Sequence, residues 1–294
     1  MITSDFLRAT LLAFLAGQCS SISLQTSNRL TRHIGPTSIP CVIHQTWKTH
    51  KLSLDQGDNV QTWKSKNPEC EHKLWDDAEV ERLVQKKSPD VIWPIWDGLR
   101  PVERADVFRY LVLWDQGGYY ADLDVKCDTP IEQFPVPKNV SMILAYESGS
   151  RLTEPDRQKN KFPRVEQFQN WFMASSQGNP ILHRALDIIR EKFIWKVQKT
   201  VDLTGPGTLS DAVHEFLATT SIEQGIPEEI SRRTSYLKSF TFPSENLYES
   251  GNQTVWLMAA GRVGAQLRVG DDPVAHLLQH SYAATWKPPG GVQP

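Results

Sequence analysis

Short apolar runs alternate with amphipathic stretches along this chain. Ile39-Pro-Cys-Val-Ile-His-Gln-Thr-Trp47 is apolar at its start and polar at its end, and reads as a buried strand passing into a loop at its carboxyl end. Glu71-His-Lys-Leu-Trp75, followed by Asp76-Asp77, reads as a second strand, with a helix between the two. Strand, helix and strand in that order imply parallel pairing. A helix follows over about 102–115. At about 100° per residue, Val102, Ala105, Val107, Phe108, Leu111, Val112, Leu113 and Trp114 cover nearly its whole circumference. A helix apolar all round is buried. It nevertheless carries Arg104, Asp106 and Arg109, and an unpaired buried charge costs on the order of several kcal/mol, so these side chains need partners. Asp106 and Arg109, three residues apart, either close an ion pair within the helix or reach a ligand at the turn that follows.

That turn begins Gly117-Gly118-Tyr119-Tyr120-Ala121-Asp122-Leu123-Asp124. The glycines are suited to ending the helix, and the next residues suit a strand. If Asp122-Leu123-Asp124 continues extended, the two carboxylates share one face and Leu123 points into the core. Two hard oxygen donors at that spacing suit Mg²⁺ or Mn²⁺ with a phosphorylated ligand. An isolated triplet of this kind is also what a solvated surface turn looks like.

Farther on, 147–167 is polar without periodicity and reads as a surface loop of the kind that covers sites. Residues 169–175 read as a strand. Asn179-Pro180 caps an amphipathic helix running to about 195. Thr204-Gly-Pro-Gly-Thr208 reads as a loop before a helix near 209–217, either a plain turn or a set of amides facing an anion or sugar hydroxyls. Ligands of open parallel sheets bind beyond the carboxyl ends of the strands, where Trp47, Asp76 and the Asp122/Asp124 pair would meet in one crevice.

The chain has 294 residues and a formal net charge of −2, with no Lys/Arg run, which disfavours a nucleic-acid or other polyanion binder. Its ten tryptophans supply core volume and stacking faces. The apolar stretch 6–17, followed by Ser-rich sequence, is too short to span a bilayer comfortably. It reads as a signal peptide or short signal anchor over 1–21. Cys19, Cys41, Cys70 and Cys127 have no metal-site spacing, and loss of the leader with Cys19 leaves at most one intrachain disulfide. Asn139-Val-Ser and Asn252-Gln-Thr are glycosylation sequons usable in a secretory lumen. Residues 287–294, rich in Pro and Gly, read as a disordered tail.

Taken together, these stretches resemble the glycosyltransferases of the family that includes the yeast initiating α-1,6-mannosyltransferase and the fungal inositolphosphoceramide mannosyltransferases. The resemblance runs over most of 39–286. It is carried by Ile39-Pro-Cys-Val-Ile-His-Gln-Thr-Trp-Lys48 and, most specifically, by the helix, glycine pair and acid pair from Arg104 to Asp124. It implies a catalytic domain over 39–286 with a GT-A fold, an α/β/α sandwich around a mostly parallel, Rossmann-like sheet. It implies a nucleotide-sugar donor, GDP-mannose or a UDP-hexose, and a divalent cation, Mn²⁺ or Mg²⁺.

By the same resemblance Trp47 stacks near the base, Asp106 and Arg109 contact the donor's sugar or ribose, and Tyr120 sits beside the nucleotide. Asp122 touches the ribose or sugar and helps hold the metal, and Asp124 ligates it. His280-Ser-Tyr-Ala-Ala-Thr-Trp286 is similar to the family's ending, which makes His280 the distant metal ligand, with His276 as its rival, and Trp286 a lid contact to the diphosphate. Asn170 is either a sugar-pocket residue or a strand-edge amide.

The implied activity is metal-dependent transfer, with retention, of a hexose (mannose favoured, galactose or glucose as alternatives) to a glycan or glycolipid acceptor. The implied place is the Golgi or ER lumen or the secreted fraction, with membrane proximity through the N-terminus or a lipid acceptor. Two other classes compete: a phosphatase of the haloacid-dehalogenase-like type with Asp122 as nucleophile, and a catalytically silent sugar-binding protein of the same fold.

Overall fold

Val42–Thr46 forms β1, whose first four residues, the polar His44 and Gln45 among them, are buried. The computed structural model describes residues 39–134, 136, 139–147, 162–164 and 167–223 and strands at 246–250, 253–258, 266–268 and 276–280. All belong to one compact unit, Thr31–Pro294. The expected leader over 1–21, Trp286 and the tail 287–294 lie outside the described residues.

After β1 come α1 (Leu54–Lys66), β2 (Glu71–Trp75), α2 (Asp77–Lys87), α3 (Pro101–Gln116), β3 (Gly118–Ala121), β4 (Val125–Cys127), β5 (Met142–Ala145) and β6 (Phe172–Ser175). Then follow α4 (Pro180–Ile194), the single turn α5 (Thr200–Leu203), α6 (Pro206–Glu223), and β7 (Asn246–Ser250), β8 (Gln253–Met258), β9 (Gln266–Arg268) and β10 (His276–His280). The helix starts are chemically marked. Ser53 with Gln56 and Asp76 with Glu79 form capping boxes on α1 and α2, and Asn179 accepts from the Ile181 amide on α4.

Seven strands form the central sheet in the order β2-β1-β3-β6-β5-β8-β7, and β4-β10-β9 form a second, smaller sheet. β1 runs parallel to β2 and β3, and β5 parallel to β8, while β6 is antiparallel to β3 and β5 and β7 is antiparallel to β8. Five of the seven strands therefore point one way, as expected of a mostly parallel sheet. The period of two sorts the strand residues onto its faces. Tyr120, Met142, Leu144 and Met173 pack with α2, α3, α4 and α6, whereas Tyr119, Ala121, Ile143, Ala145, Phe172 and Ala174 pack with Trp63 of α1 and with the small sheet. The result is the expected layered α/β/α sandwich.

Some expectations shift. Asp122-Leu123-Asp124 does not continue the strand: β3 stops at Ala121, and the triplet is a turn carrying the chain from the large sheet to the small one. Asn170 lies in the loop ahead of β6, which begins only at Phe172. Pro206, expected within a loop, already opens α6, because proline needs no amide partner in a first helical turn. Within the 147–167 segment, residues 147, 162–164 and 167 are described. Glu147 donates to the Gln167 carbonyl at 2.8 Å, next to a bridge between Tyr146 and Phe168.

Gly117 and Gly118 sit at φ 66° and 102°, where a side chain is strained. A Cβ on Gly118 would lie 2.4 Å from the Val42 carbonyl oxygen, so the close pairing of β3 with β1 requires glycine there. Cys41 and Cys70 form a disulfide that ties the entry of β1 to the entry of β2. The buried Cys127 stays a thiol, its pKa pushed up to about 11 by burial.

Candidate active site

The centre of the site is the turn at Asp122, and its backbone is held from several sides. The Asp122 amide donates to the Trp171 carbonyl at 2.8 Å, and the Val125 amide donates to the Asp122 carbonyl at 3.0 Å. Gln45 Nε2 donates to the same carbonyl at 3.3 Å, and its own Oε1 lies 2.8 Å from His72 Nε2. From α1, Asn59 Nδ2 donates to the Leu123 carbonyl at 3.2 Å and Trp63 Nε1 to the Val125 carbonyl at 2.9 Å. With Leu123 buried, the two flanking acids are half-exposed at the surface of the turn. The turn has little freedom to relax.

The Asp122 side chain is also oriented. Its Oδ1 accepts from the Tyr120 hydroxyl at 2.7 Å and lies 3.2 Å from Arg109 Nη2. That Arg109 nitrogen is also 3.2 Å from Asp106 Oδ1, so the ion pair closed within α3 and the reach toward the acid pair are both present. Arg109 Nη1 donates to the Asn170 carbonyl at 2.7 Å, and its guanidinium lies 4.9 Å from the Tyr120 ring centroid. Asp106 accepts from Asn170 Nδ2 at 3.0 Å on Oδ1 and from the Thr204 hydroxyl at 2.8 Å on Oδ2. Asn170 Nδ2 further reaches the Tyr110 hydroxyl at 3.1 Å, which donates to the Gly205 carbonyl at 3.1 Å. Asn170 is therefore a buried junction, not a strand-edge amide.

The electrostatics follow from one buried cation between two acids. Burial works against the Arg109 charge, but Asp122, Tyr120 and Asp106 outweigh it and hold its pKa above the ordinary value. Burial raises the Asp106 pKa to about 6 despite the opposing pull of Arg109. Burial likewise holds Tyr120 well above its ordinary value, so its hydroxyl remains a donor to Asp122 at neutral pH.

Arg104, expected to be buried, is half-buried instead. It stacks 4.9 Å from the Trp96 ring centroid and donates to the Leu99 carbonyl. The acid buried in the first turn of α3 is Glu103, held by Arg100 and Thr200.

Trp47 is half-buried just past β1, and Asp122 lies just past the adjacent parallel β3, so both sit at the carboxyl ends of neighbouring strands. Asp76 caps α2, and His50 lies 3.4 Å from Asp76 and 3.2 Å from Glu79. Among the described residues, His50, Asp76 and Glu79 form a group whose donor atoms lie within 4.8 Å of one another. Both acids there already serve the helix cap. His280 ends β10, whose register sets it opposite Val125, the residue after Asp124. His276, at the other end of the same strand, pairs with Arg268 of β9, and a register irregularity separates it from Leu278.

Gln45, Asn59 and Tyr110 were not singled out by sequence, and Thr204 was named only as the start of a loop. Gln45 left a trace there, an amide beside His44 in a strand whose start is apolar. The geometry does not suit the phosphatase alternative, because Asp122 Oδ1 is held by a tyrosine hydroxyl and a guanidinium.

Comparison with known proteins agrees with this chemistry. Residues 55–144 match the family model described as a glycosyltransferase sugar-binding region containing a DXD motif. Among individual relatives, it is 27% identical over 202 residues to the initiation-specific alpha-1,6-mannosyltransferase of Candida albicans, covering 58% of this chain and 52% of that protein. To the protein of the same name from Schizosaccharomyces pombe it is 26% identical over 270 residues, covering 82% of this chain and 63% of that one. To inositol phosphoceramide mannosyltransferase 2 of Schizosaccharomyces pombe it is 37% identical over 122 residues, covering 41% and 32%. The chain thus spans between half and two thirds of the length of the first two relatives. Among solved structures it is similar to the PaToxG glycosyltransferase at a TM-score of 0.46 and 16% identity, over 68% of this chain and 79% of that one. It is similar to the UDP-bound glycosyltransferase domain of the YGT toxin at 0.40 and 10%, over 64% and 78%. Both scores are too low to define a shared fold.

Proposed function

We propose that this chain is a metal-dependent, retaining hexosyltransferase that takes mannose from a nucleotide sugar and delivers it to a glycan or glycolipid. The observation that carries the reading is the arrangement around Asp122. A carboxylate at the end of a parallel strand is oriented by Tyr120 and Arg109, with a second carboxylate, Asp124, two residues on in the same braced turn. The mannosyl donor is favoured because the relatives above are named as mannosyltransferases.

The donor set fits a hard divalent cation, Mn²⁺ or Mg²⁺, which Asp122 and Asp124 would hold with His280. Bound there, such an ion stabilises the negative charge that develops on the leaving diphosphate. The protein's own contribution is positioning. Tyr120 and Arg109 keep Asp122 in one rotamer, so no side-chain ordering is left for the moment of binding. Trp47 offers an aromatic face for the base at the neighbouring strand end, and Trp286 a contact for the diphosphate. Asp106 has both oxygens engaged by Arg109, Asn170 and Thr204, so its role is to hold Arg109 and the loop at Thr204 while the donor meets Arg109 and Asp122.

A secretory compartment fits the Cys41–Cys70 disulfide and the sequon at Asn139, which is exposed in a turn. Among the described residues no helix is long and apolar enough to cross a membrane.

The test is turnover of a panel of nucleotide sugars with Mn²⁺, read as nucleoside diphosphate release, with a generic phosphoester beside it. Release from one sugar donor, lost in chelator and in Asp124→Ala with unchanged melting, is the expected result. Full activity of that variant in chelator sinks the metal assignment, and release of phosphate from the ester sinks the transferase.

A further inference from the structure

The carboxyl end of α4 presents apolar surface that the fold does not use. Ile194 is 62% exposed and Trp195 82% exposed, although the preceding turns of the same helix bury Leu186, Ile188 and Ile189 completely or nearly so. An exposed Trp beside an exposed Ile gives up the burial that stabilises the rest of α4. The cause is local: Trp195 is the C-cap residue, and Lys196 turns the chain away at φ 56°. The side chains at this tip therefore project beyond the core.

Among the described residues, the charges around the pair that enter no ion pair have one sign. Arg190 lies one turn before Ile194 on the same helix face, and Lys196 and Lys199 follow directly; all three are exposed and carry no ion pair among the described residues. The other charged groups nearby are already engaged. Glu191 is bound by Arg184, Lys192 by Asp202 and Asp211, and Arg100 by Glu103. Asp97, on the short helical turn beside Phe193, is a second exposed acid besides Glu191, 4.0 Å from Arg104. An aromatic and an aliphatic side chain ringed by uncompensated cations match the boundary of an anionic lipid bilayer, where Trp sits at headgroup depth and Lys and Arg meet lipid phosphates.

The patch is coupled to the acid-pair site by a short path. Lys199 caps α5, a single turn that ends at Thr204, whose hydroxyl holds Asp106. Five residues of helical rise put these two ends on the order of 8 Å apart.

We propose that Ile194 and Trp195, with Arg190, Lys196 and Lys199, dock this protein on anionic membrane surfaces. The docking is independent of which sugar the site transfers.

The experiment is co-sedimentation of the full chain with phosphatidylcholine vesicles, with and without phosphatidylserine, at low and high salt. The expected result is binding that needs phosphatidylserine and weakens with salt. Trp195→Ser and Ile194→Ser each reduce it on the order of tenfold. Lys196→Glu and Lys199→Glu each reduce it about fivefold or more, the loss expected for one cation at such a surface. All four positions are exposed, so melting temperatures should match the parent, and the N-terminal apolar stretch sets a background that none of them changes. Equal binding of parent and variants, or parent binding indifferent to phosphatidylserine, overturns the proposal. So does self-association without vesicles that Trp195→Ser abolishes, which would make a second copy of the chain the occupant.

Discussion

Arg109 Nη2 lies 3.2 Å from Asp122 Oδ1 and an equal 3.2 Å from Asp106 Oδ1, so one guanidinium nitrogen couples the buried helix α3 to the acid turn after β3. The other terminal nitrogen, Nη1, donates to the Asn170 carbonyl. Arg109→Lys keeps a charge but has no fork with which to make these contacts together. It should lower turnover at least a hundredfold and destabilise the fold by about 3 kcal/mol, within the range for breaking a buried pair. Single-turnover kinetics and urea unfolding read the two effects separately. Wild-type activity in this variant would show that the coupling is structural only.

Metal binding should be visible without any sugar chemistry. Mn²⁺ added to the wild-type chain is expected to raise its melting temperature, because a ligand that binds only the folded state stabilises it by mass action. Asp124→Asn should abolish the rise and leave the metal-free melting point in place. A rise that survives in Asp124→Asn would send the ion elsewhere, and the His50, Asp76 and Glu79 group is where to look next.

Glycine is required at one position and wasteful at another. Gly118→Ala puts a Cβ 2.4 Å from the Val42 carbonyl at φ 102° and should cost about 3 kcal/mol or more. Gly57 lies in the interior of α1 with open space where its Cβ would stand, and Gly57→Ala should stabilise by about 0.5–1 kcal/mol. Urea midpoints of the two variants should move in opposite directions.

Acid should unfold this protein through the buried His44 and the partly buried His72 and His214. Burial lowers the pKa of His44 to about 3, and of His72 and His214 to about 4. His44 is then neutral, with Nε2–H donating to the Gly117 carbonyl and Nδ1 accepting from Trp75 Nε1. Below about pH 6.5 the unfolded chain takes up protons at these sites that the folded chain does not, so stability present at neutral pH is lost progressively as pH falls toward 4. Asp106 has the opposite sign. Its folded pKa of about 6 means that the folded state holds the extra proton between about pH 4 and 6, which offsets about one of the three histidines. The net expectation is a fall in stability from pH 7 to pH 4.5, shallower in His44→Gln. A flat profile between those limits would contradict the burial of these rings.

Reduction should also weaken the fold. The Cys41–Cys70 bridge closes a separation of 29 residues, and Cys41→Ser with Cys70→Ser should cost about 3 kcal/mol. The difference in urea midpoint between oxidised and reduced wild type gives the same quantity independently.

Much of the frame was readable along the chain. Glu71–Trp75 and Pro101–Gln116 fall where their patterns predict them to within a residue or so, because an apolar run and an all-round apolar helix are local signals. The need of Asp106 and Arg109 for partners was readable for the same reason, as charges on a helix with no polar face. The partners themselves were not. Thr204 stands 98 residues from Asp106, and Asn170 stands 61 from Arg109. Nor did the pattern show that Asp122-Leu123-Asp124 is a turn between two sheets, since that depends on β10 arriving from the far end of the chain to pair with β4.

The sequence by itself therefore determined the first two strands, the buried helix α3 and the acid pair, all set by neighbours within a few residues, and the resemblance over 39–286 supplied the class of chemistry. Only the tertiary structure decided how Asp122 is aimed. Its rotamer is set by a hydroxyl and a guanidinium on two different elements, while Gln45, Asn59 and Trp63 fix the backbone beneath it. Those contacts form only when β1, α1, α3 and β3 pack together, and hydrogen bonds between residues distant in sequence leave no period in the chain to read.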